Sequence, residues 1–244
     1  MTTPISLDKK MLRENRRFYD ALWSESRLVP AHRFNTWPLV SSLLSPQQTR
    51  LEVAPGLRPR LPIEGTLFLD ISAAALSSLR AAGARVMQGQ IGAIPLPAGS
   101  IDFLCAFDVI EHVDDDDAAI SELSRVVRPG AAMLTSIPLH PERWTAFDDF
   151  VGHRRRYESE RILSKLNAHG FDIERSAVYG MQAKSSRLLD LGMWYLTHER
   201  ERAMWWYNRV IMPLGLWRQS KLDFMPGLVD ASGVDEVLLV CRKR

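Results

Sequence analysis

From residue 50 onward, the sequence alternates short apolar runs with segments that carry helical periodicity. This alternation limits the fold more than any other feature, because a strand–helix–strand order favours a parallel sheet with helices on both faces. We predict an α/β, Rossmann-like, seven-stranded and mostly parallel sheet. Its strands are expected at residues 51–54, 66–70, 85–88, 101–107, 131–137, 171–179 and 236–241.

Local signals place two of the intervening helices. Ser72 is a suitable N-cap for a helix that ends before Gly83, whose missing Cβ suits a helix C-terminus. Asp114 is expected to cap the helix after the fourth strand, and the aspartates at 114–117 favour its positive N-terminal end. The acidic run thus has a structural interpretation.

Two segments lie outside this alternation. Residues 1–45 are expected to form an N-terminal helical cap on a main domain of residues 46–244. A helical insertion at about 181–230 precedes the last strand and contains Trp194, Trp205, Trp206 and Trp217. Its aromatic residues are consistent with a cap or core packing, with a homodimer face, or with weak contact to a membrane surface.

Composition restricts the classes of function. The formal net charge of +2 gives no global attraction to nucleic acid, so no nucleic-acid partner is expected. Cys105 and Cys241 lie in apolar runs, which indicates buried thiols, and no metal site is predicted. The N-terminus lacks the apolar run of a signal peptide and no segment has the length of a membrane span, so a cytoplasmic location is expected.

The stretch RLEVAPGLRP at residues 50–59 resembles a nucleotide-binding turn in part. Glu52 lies in the predicted first strand, and Gly56 lies where the chain is expected to turn. Ala54 and Arg58, however, occupy positions where such loops usually have glycine. Ligands of open parallel sheets collect at the carboxyl ends of the strands. Asp70, at the end of the second strand, is therefore either an acceptor for ribose hydroxyls or a helix cap beside Ser72.

Two later phrases add a family resemblance. Residues 89–95 read GQIGAIP, residues 109–113 read VIEHV, and the helix after the fourth strand ends in SRVVRPGA. In this order and spacing, the sequence resembles the class I S-adenosylmethionine-dependent methyltransferases, specifically the type 11-like group. The resemblance runs from about residue 50 to 180 and returns in the last strand. It implies S-adenosylmethionine as the cofactor.

The resemblance also implies which residues bind that cofactor. Glu52, Ala54 and Gly56 would line the methionine side, and Asp70 with Ile71 the ribose and adenine edge. The rest of the predicted cofactor set is Gln88, Gln90, Asp108 and Val109. Gln90 replaces the usual aspartate, and its amide oxygen can still accept a hydrogen bond without charge.

The first crossover departs from the family pattern. About 11 residues separate the first two strands, and Pro59 and Pro62 lie among them, so the helix expected there should be reduced to a turn. We expect Arg58 or Arg60 to pair with the cofactor's carboxylate, or else to be surface arginines. The N-terminal aromatic helices are expected to cover the sheet face that this helix would leave open.

The substrate side is expected around residues 140–158. The candidates for proton removal are His112 and His153, although His112 could instead only fix its loop and His153 could be a structural donor. The candidate substrate-binding residues are Tyr19, His140, Arg155, Arg156 and Tyr157. The arginines either bind an anionic group, or are solvated or paired with neighbouring aspartates.

The predicted activity is methyl transfer to a small molecule or glycoconjugate precursor. The alternatives are a catalytically inactive S-adenosylmethionine-binding regulator and an NAD-dependent oxidoreductase. Against the latter, the sequence has no Gly-x-Gly-x-x-Gly.

Overall fold

A computed structural model of the protein describes residues 16–180 and 186–244. Its strands are β1 (Arg50–Val53), β2 (Thr66–Asp70), β3 (Arg85–Gln88), β4 (Ile101–Ala106), β5 (Val127–Pro138), β6 (Phe171–Tyr179), β7 (Met225–Pro226) and β8 (Glu236–Lys243). They form one sheet in the order β3-β2-β1-β4-β5-β8-β6-β7. The first five run parallel, whereas β8 is antiparallel to β5 and to β6.

The predicted fold class is confirmed, but the number of strands is eight rather than seven. The additional strand, β7, is only two residues long and pairs with Arg175 and Ser176 at the edge of the sheet. A two-residue strand is too short to show a period-2 pattern in the sequence.

Nine α-helices are seen within the described residues. They are α1 (16–25), α2 (Trp37–Leu43), α3 (Ala73–Ala81), α4 (Asp116–Val126), α5 (Ala146–Val151), α6 (Ser159–Ala168), α7 (Ser186–His198), α8 (Arg200–Trp206) and α9 (Met212–Trp217), with a π-helix at Tyr207–Ile211. Ser72 caps α3 as predicted, since its Oγ accepts a hydrogen bond from the Ala75 amide. The cap of α4 is Asp115 rather than Asp114, because the Asp115 carboxylate accepts from the Ala118 amide.

The two faces of the sheet are covered differently. Helices α4 and α6 pack on one face, where Ile120 and Ile162 belong to the largest buried cluster. On the other face, residues 54–65 form turns and no helix, as the short crossover and its prolines predict. Leu39 and Val40 of α2 pack there together with Phe103.

Helix α1 extends this cover toward β2. Its Trp23 packs with Leu57 and Phe68, so the N-terminal helices take the place of the lost crossover helix, as expected. Residues 1–15 of the predicted cap lie outside the described part of the chain, and its division from residues 46–244 stays a prediction.

The insertion leaves its four tryptophans at the surface, between 48% and 79% exposed. Core packing is therefore the wrong expectation for these rings. The insertion nevertheless contacts the N-terminal segment, because Asn208 Nδ2 donates to the Glu25 carbonyl and Asn208 Oδ1 accepts from the Arg27 amide. None of the helices in the described residues is long and apolar enough to span a membrane.

Candidate functional site

Within residues 16–180 and 186–244, three residues other than glycine adopt left-handed backbone conformations, and each follows a parallel strand. Ala54 (φ 54°) follows β1, Asp108 (φ 48°) follows β4 and His140 (φ 63°) follows β5. This conformation costs about 1–2 kcal/mol per residue for an L-amino acid. Strained residues of this kind concentrate at functional sites, and here they mark the carboxyl edge of the sheet.

Asp70 holds the first loop at this edge. Its carboxylate accepts hydrogen bonds from the amides of Gly56 (3.0 Å) and Ser72 (2.8 Å). The side chain is buried, and burial raises the pKa of Asp70 to about 6. Since a carboxylate oxygen has two acceptor positions, Oδ2, which accepts from the Gly56 amide, has a position left for a ligand hydroxyl.

Glu52 has a structural role in the same loop. Both of its oxygens accept backbone hydrogen bonds from the loop itself, Oε1 from Arg60 (2.7 Å) and Oε2 from Leu61 (2.8 Å). Burial raises the pKa of this carboxyl to about 7. Glu52 therefore supports the turn of residues 54–61 from beneath, and its predicted place on the methionine side stays a prediction.

The space above Gly56 is filled by Trp23 of α1. A Cβ atom at Gly56 would lie 2.2 Å from the indole ring, and the residue has φ +53°, so only glycine fits this turn. A turn without a side chain beside a buried acid is the arrangement predicted for the sugar end of a nucleoside cofactor, but the Trp23 ring occupies the space above it. In this structure the N-terminal helix lies directly on that turn.

Arg58 and Arg60 are held by aromatic rings next to the same loop. The Arg58 guanidinium lies 5.2 Å from the Trp23 ring centroid and 4.7 Å from that of Tyr207. Arg60 lies 3.8 Å from the centroid of Phe34, and its Nη2 donates to the Tyr179 hydroxyl (3.0 Å). The two cations are thus fixed beside the turn, and their pairing with a cofactor carboxylate stays a prediction.

The other predicted cofactor residues lie at the ends of neighbouring strands. Gln88 is exposed and donates to the carbonyl of Ile71 (3.1 Å), and Gln90 is exposed at the rim. Asp108 is exposed and accepts from the Ser136 hydroxyl (2.5 Å). Val109 is buried in the core, and its contact with the cofactor stays a prediction.

A second cluster lies where the loop after β4 meets the loop after α5. The Arg154 amide donates to the Glu111 carbonyl (2.8 Å) and joins the two loops. As a result, Glu111, His112 and His153 each place a potential metal-ligating atom within 4.8 Å of the others. The two imidazole rings meet edge to face, 4.7 Å apart.

The polar contacts of this cluster fix both imidazoles. His153 Nδ1 lies 2.9 Å from Asp148 Oδ1, and His112 Nδ1 lies 3.3 Å from the Gly152 carbonyl oxygen. Because the Asp148 carboxylate is an acceptor, the His153 ring carries its proton on Nδ1 and a lone pair on Nε2. Tyr19, a predicted substrate contact, has its hydroxyl 3.4 Å from His112 Nε2 and donates to the Val151 carbonyl.

Burial dominates the protonation of the cluster. It raises the pKa of Glu111 well above its usual range, and it lowers the pKa of His112 to about 3. The pKa of His153 is also lowered by burial, although Asp148 acts in the opposite direction. Both imidazoles are therefore neutral at pH 7 and can offer a lone pair.

Most of the predicted substrate contacts are occupied within the protein. Arg156 is buried and makes two hydrogen bonds to the Asp148 carboxylate (2.8 and 2.9 Å). Arg155 pairs with Asp116 at 2.8 Å, and the buried Tyr157 donates to the same carboxylate. These contacts favour the second alternative for the arginines, which is pairing with neighbouring aspartates, and Tyr157 has a structural role.

His140 is also held by its own surroundings. Its Nε2 lies 2.7 Å from the Ala231 carbonyl oxygen and its Nδ1 3.0 Å from Glu142. Both ring nitrogens of His140 thus have a partner within the protein, as most of the other predicted substrate contacts do.

Two functional candidates did not emerge from the sequence. Trp23 is distant in sequence from the Gly56 turn that it covers. Glu236 starts the antiparallel strand β8, and burial, followed by the nearby Asp108 carboxylate, raises its pKa well above the usual range. Only the strand order brings Glu236 to this edge, and no local motif signals it.

Comparison with known proteins identifies the domain. A family profile described as a methyltransferase domain matches residues 58–135. A probable S-adenosylmethionine-dependent methyltransferase of Mycolicibacterium smegmatis is 35% identical over 112 residues, which is 43% of each chain. Over the matched segment the chain is similar to the class I S-adenosylmethionine-dependent methyltransferases. The predicted family is thus confirmed, and S-adenosylmethionine is the cofactor that it implies.

Other similarities of this methyltransferase domain agree. A probable S-adenosylmethionine-dependent methyltransferase of Mycobacterium tuberculosis is 31% identical over 111 residues, which is 43% of this chain and 40% of the relative. The matched region therefore spans less than half the length of these curated relatives.

Solved structures show that the methyltransferase fold extends beyond the matched segment. A Thermotoga maritima protein described as a possible histamine N-methyltransferase superposes with a TM-score of 0.58 at 16% identity, covering 88% of this chain and 91% of that one. The [4+2]-cyclase SpnF superposes with a TM-score of 0.54 at 19% identity, covering 85% and 79%. At such identities the likeness concerns the fold alone.

Proposed function

We propose that this protein transfers a methyl group from S-adenosylmethionine to a small-molecule acceptor, with glycoconjugate precursors among the candidate acceptors. The observation that carries the proposal is the Gly56 turn held by the buried Asp70 carboxylate, in a domain of the methyltransferase family. The cofactor supplies a methyl group on a sulfonium. The leaving group is the neutral thioether S-adenosylhomocysteine, so its departure needs no acid catalysis. The comparisons do not favour the inactive regulator or the oxidoreductase.

The protein's own residues have three tasks in this proposal. Asp70 accepts hydrogen bonds from the ribose hydroxyls. Helix α1 and the insertion cover the carboxyl edge and exclude water. The same cover holds the acceptor in line with the methyl group for the displacement. His153 is the better placed of the two predicted bases, because Asp148 holds its Nδ1–H and leaves the Nε2 lone pair for the proton of an acceptor hydroxyl.

The exposed apolar side chains of the insertion support a contact outside the chain. Trp206 of α8 and Leu214 and Trp217 of α9 lie at the surface, and Trp217 is 79% exposed. This favours the homodimer or membrane-surface alternatives for these rings, in addition to the cover that the insertion provides over Arg58.

The test is transfer of labelled methyl from S-adenosylmethionine into an extract of small metabolites. We expect labelled product with the wild-type protein and a rate about 10²- to 10⁴-fold lower for His153→Gln, as for loss of a general base. His169→Gln is the matched control, since His169 also faces an aspartate but lies outside the site. Undiminished cofactor binding without any labelled product would support the regulator instead.

A further inference from the structure

The cluster formed by Glu111, His112 and His153 has the composition of a metal site. Two imidazoles and one carboxylate are a ligand set that binds Zn²⁺ and related divalent ions. Three protein ligands are also the number typical of a metal site that keeps one position for an exchangeable ligand. The ligating atoms lie within 4.8 Å of one another.

Glu111 provides an independent observation. Its side chain is 1% exposed, and neither carboxylate oxygen has a hydrogen-bond partner among residues 16–180 and 186–244. A buried polar group without partners is costly, because desolvation is not compensated. The nearest imidazole atom among the measured contacts is His153 Nε2, 3.8 Å from Glu111 Oε1. An ion that both groups ligate would satisfy this carboxylate.

The surroundings of the imidazoles match those of metal-bound histidines. Histidine ligands usually donate their other N–H to a carboxylate or a backbone carbonyl, which fixes the tautomer. His153 has Asp148 in this position, and His112 has the Gly152 carbonyl. Asp148 is itself held by two hydrogen bonds from Arg156, so the orientation of the His153 ring is fixed through a second residue.

Two ligands that are each about 2.0–2.2 Å from an ion lie at most about 4.4 Å apart. The separations in the cluster therefore require only small side-chain rotations. The loops that carry the ligands are joined by the Arg154–Glu111 backbone hydrogen bond and by the Arg155–Asp116 ion pair. The backbone of both loops is thus held in position without a bound ion.

We propose that Glu111, His112 and His153 bind one divalent transition-metal ion of the Zn²⁺ class. The binding does not rest on the proposed methyl transfer. If that function holds, an acceptor hydroxyl on the open coordination position would lose its proton to solvent, since a bound ion lowers the pKa of a coordinated oxygen. His153 would then act as a ligand and not as a base.

The test uses Co²⁺ as the probe, with untagged full-length protein and without S-adenosylmethionine. We expect one Co²⁺ per chain by equilibrium dialysis, with visible absorption bands of a nitrogen- and oxygen-ligated ion and competition by Zn²⁺. Glu111→Gln and His153→Gln are each expected to lower the affinity by about 100-fold or more. His169→Gln, which changes a partly exposed histidine beside Asp117, should leave the affinity unchanged.

A second measurement needs no variant and therefore tests the proposal even if the variants fail to fold. In proton NMR of the wild-type protein with Co²⁺, we expect two strongly shifted exchangeable signals from the Nδ1–H groups of His112 and His153. The proposal is overturned if the wild type binds no Co²⁺ at micromolar concentrations, or if both signals are absent. Folded Glu111→Gln protein that binds Co²⁺ as tightly as the wild type would overturn it as well. Absence of methyl transfer alone would leave these results unaffected and would count against the proposed function.

Discussion

At the scale of single residues, Asp70 gives a pH-dependent prediction. In the proposed function the anionic carboxylate accepts the ribose hydroxyls, and burial raises its pKa to about 6. Affinity for S-adenosylhomocysteine should therefore be constant above pH 7 and fall below pH 6, by up to about tenfold per pH unit. Asp70→Asn should bind about 1–3 kcal/mol more weakly and lose this pH dependence. Asp172→Asn, at an exposed position on β6, is the control in calorimetric titrations.

The Asp148–Arg156 pair gives a prediction about stability. Both residues are buried. Burial alone would raise the pKa of Asp148, but the hydrogen bonds from Arg156 and Thr145 lower this pKa to about 2. Removing one partner of a buried pair leaves an uncompensated charge, so Asp148→Ala should lower the free energy of unfolding by about 3–5 kcal/mol.

The half-exposed Asp235, which pairs with Arg143 at 3.0 Å, offers the comparison for that variant. Asp235→Ala should cost about 0–1 kcal/mol in the same urea titrations. Equal losses for the two variants would show that the Asp148–Arg156 pair is not buried in solution.

At the scale of elements, the position of α1 can be tested through the Gly56 turn. Gly56→Ala places a methyl group against the Trp23 ring, whereas Gly83→Ala, also at positive φ, meets nothing within 4 Å. Both variants should lose about 1–2 kcal/mol for the left-handed backbone. Gly56→Ala should lose about 1–3 kcal/mol more through overpacking.

The Trp23→Ala background separates these two costs. In that background the extra loss at Gly56 should disappear, because the ring that causes the clash is gone. The position of α1 on the turn would be contradicted by either of two results. One is that Trp23→Ala reduces the stability loss of Gly83→Ala as much as that of Gly56→Ala. The other is that the loss of Gly56→Ala is the same with and without Trp23.

The elements themselves were largely predictable from the sequence. Ser72 and Gly83 delimit α3 through cap chemistry that acts over a few residues. The same local reasoning misplaced the cap of α4 by one residue, because Asp114 and Asp115 are chemically identical and only the backbone geometry distinguishes them. It also missed β7, which exists only because β6 is available beside it.

At the scale of the whole molecule, the site was predictable only in part. Asp70 and Asp108 follow strands, and the parallel order brings strand ends together, so their positions at one edge follow from the pattern. The role of Glu52 did not follow, since only the path of the loop shows that its oxygens meet the amides of residues 60 and 61. Pairings across long sequence separations, such as Trp23 with Gly56, have no local signal.

The most direct test of the account is calorimetric titration of the full-length protein with S-adenosylhomocysteine at pH 7.5, with NADH as the comparison ligand. The account predicts one binding site for S-adenosylhomocysteine, weakened in Asp70→Asn, and no binding heat with NADH. If S-adenosylhomocysteine gives no heat and leaves the melting temperature unchanged, this domain does not bind its family's cofactor and the proposed methyl transfer is wrong.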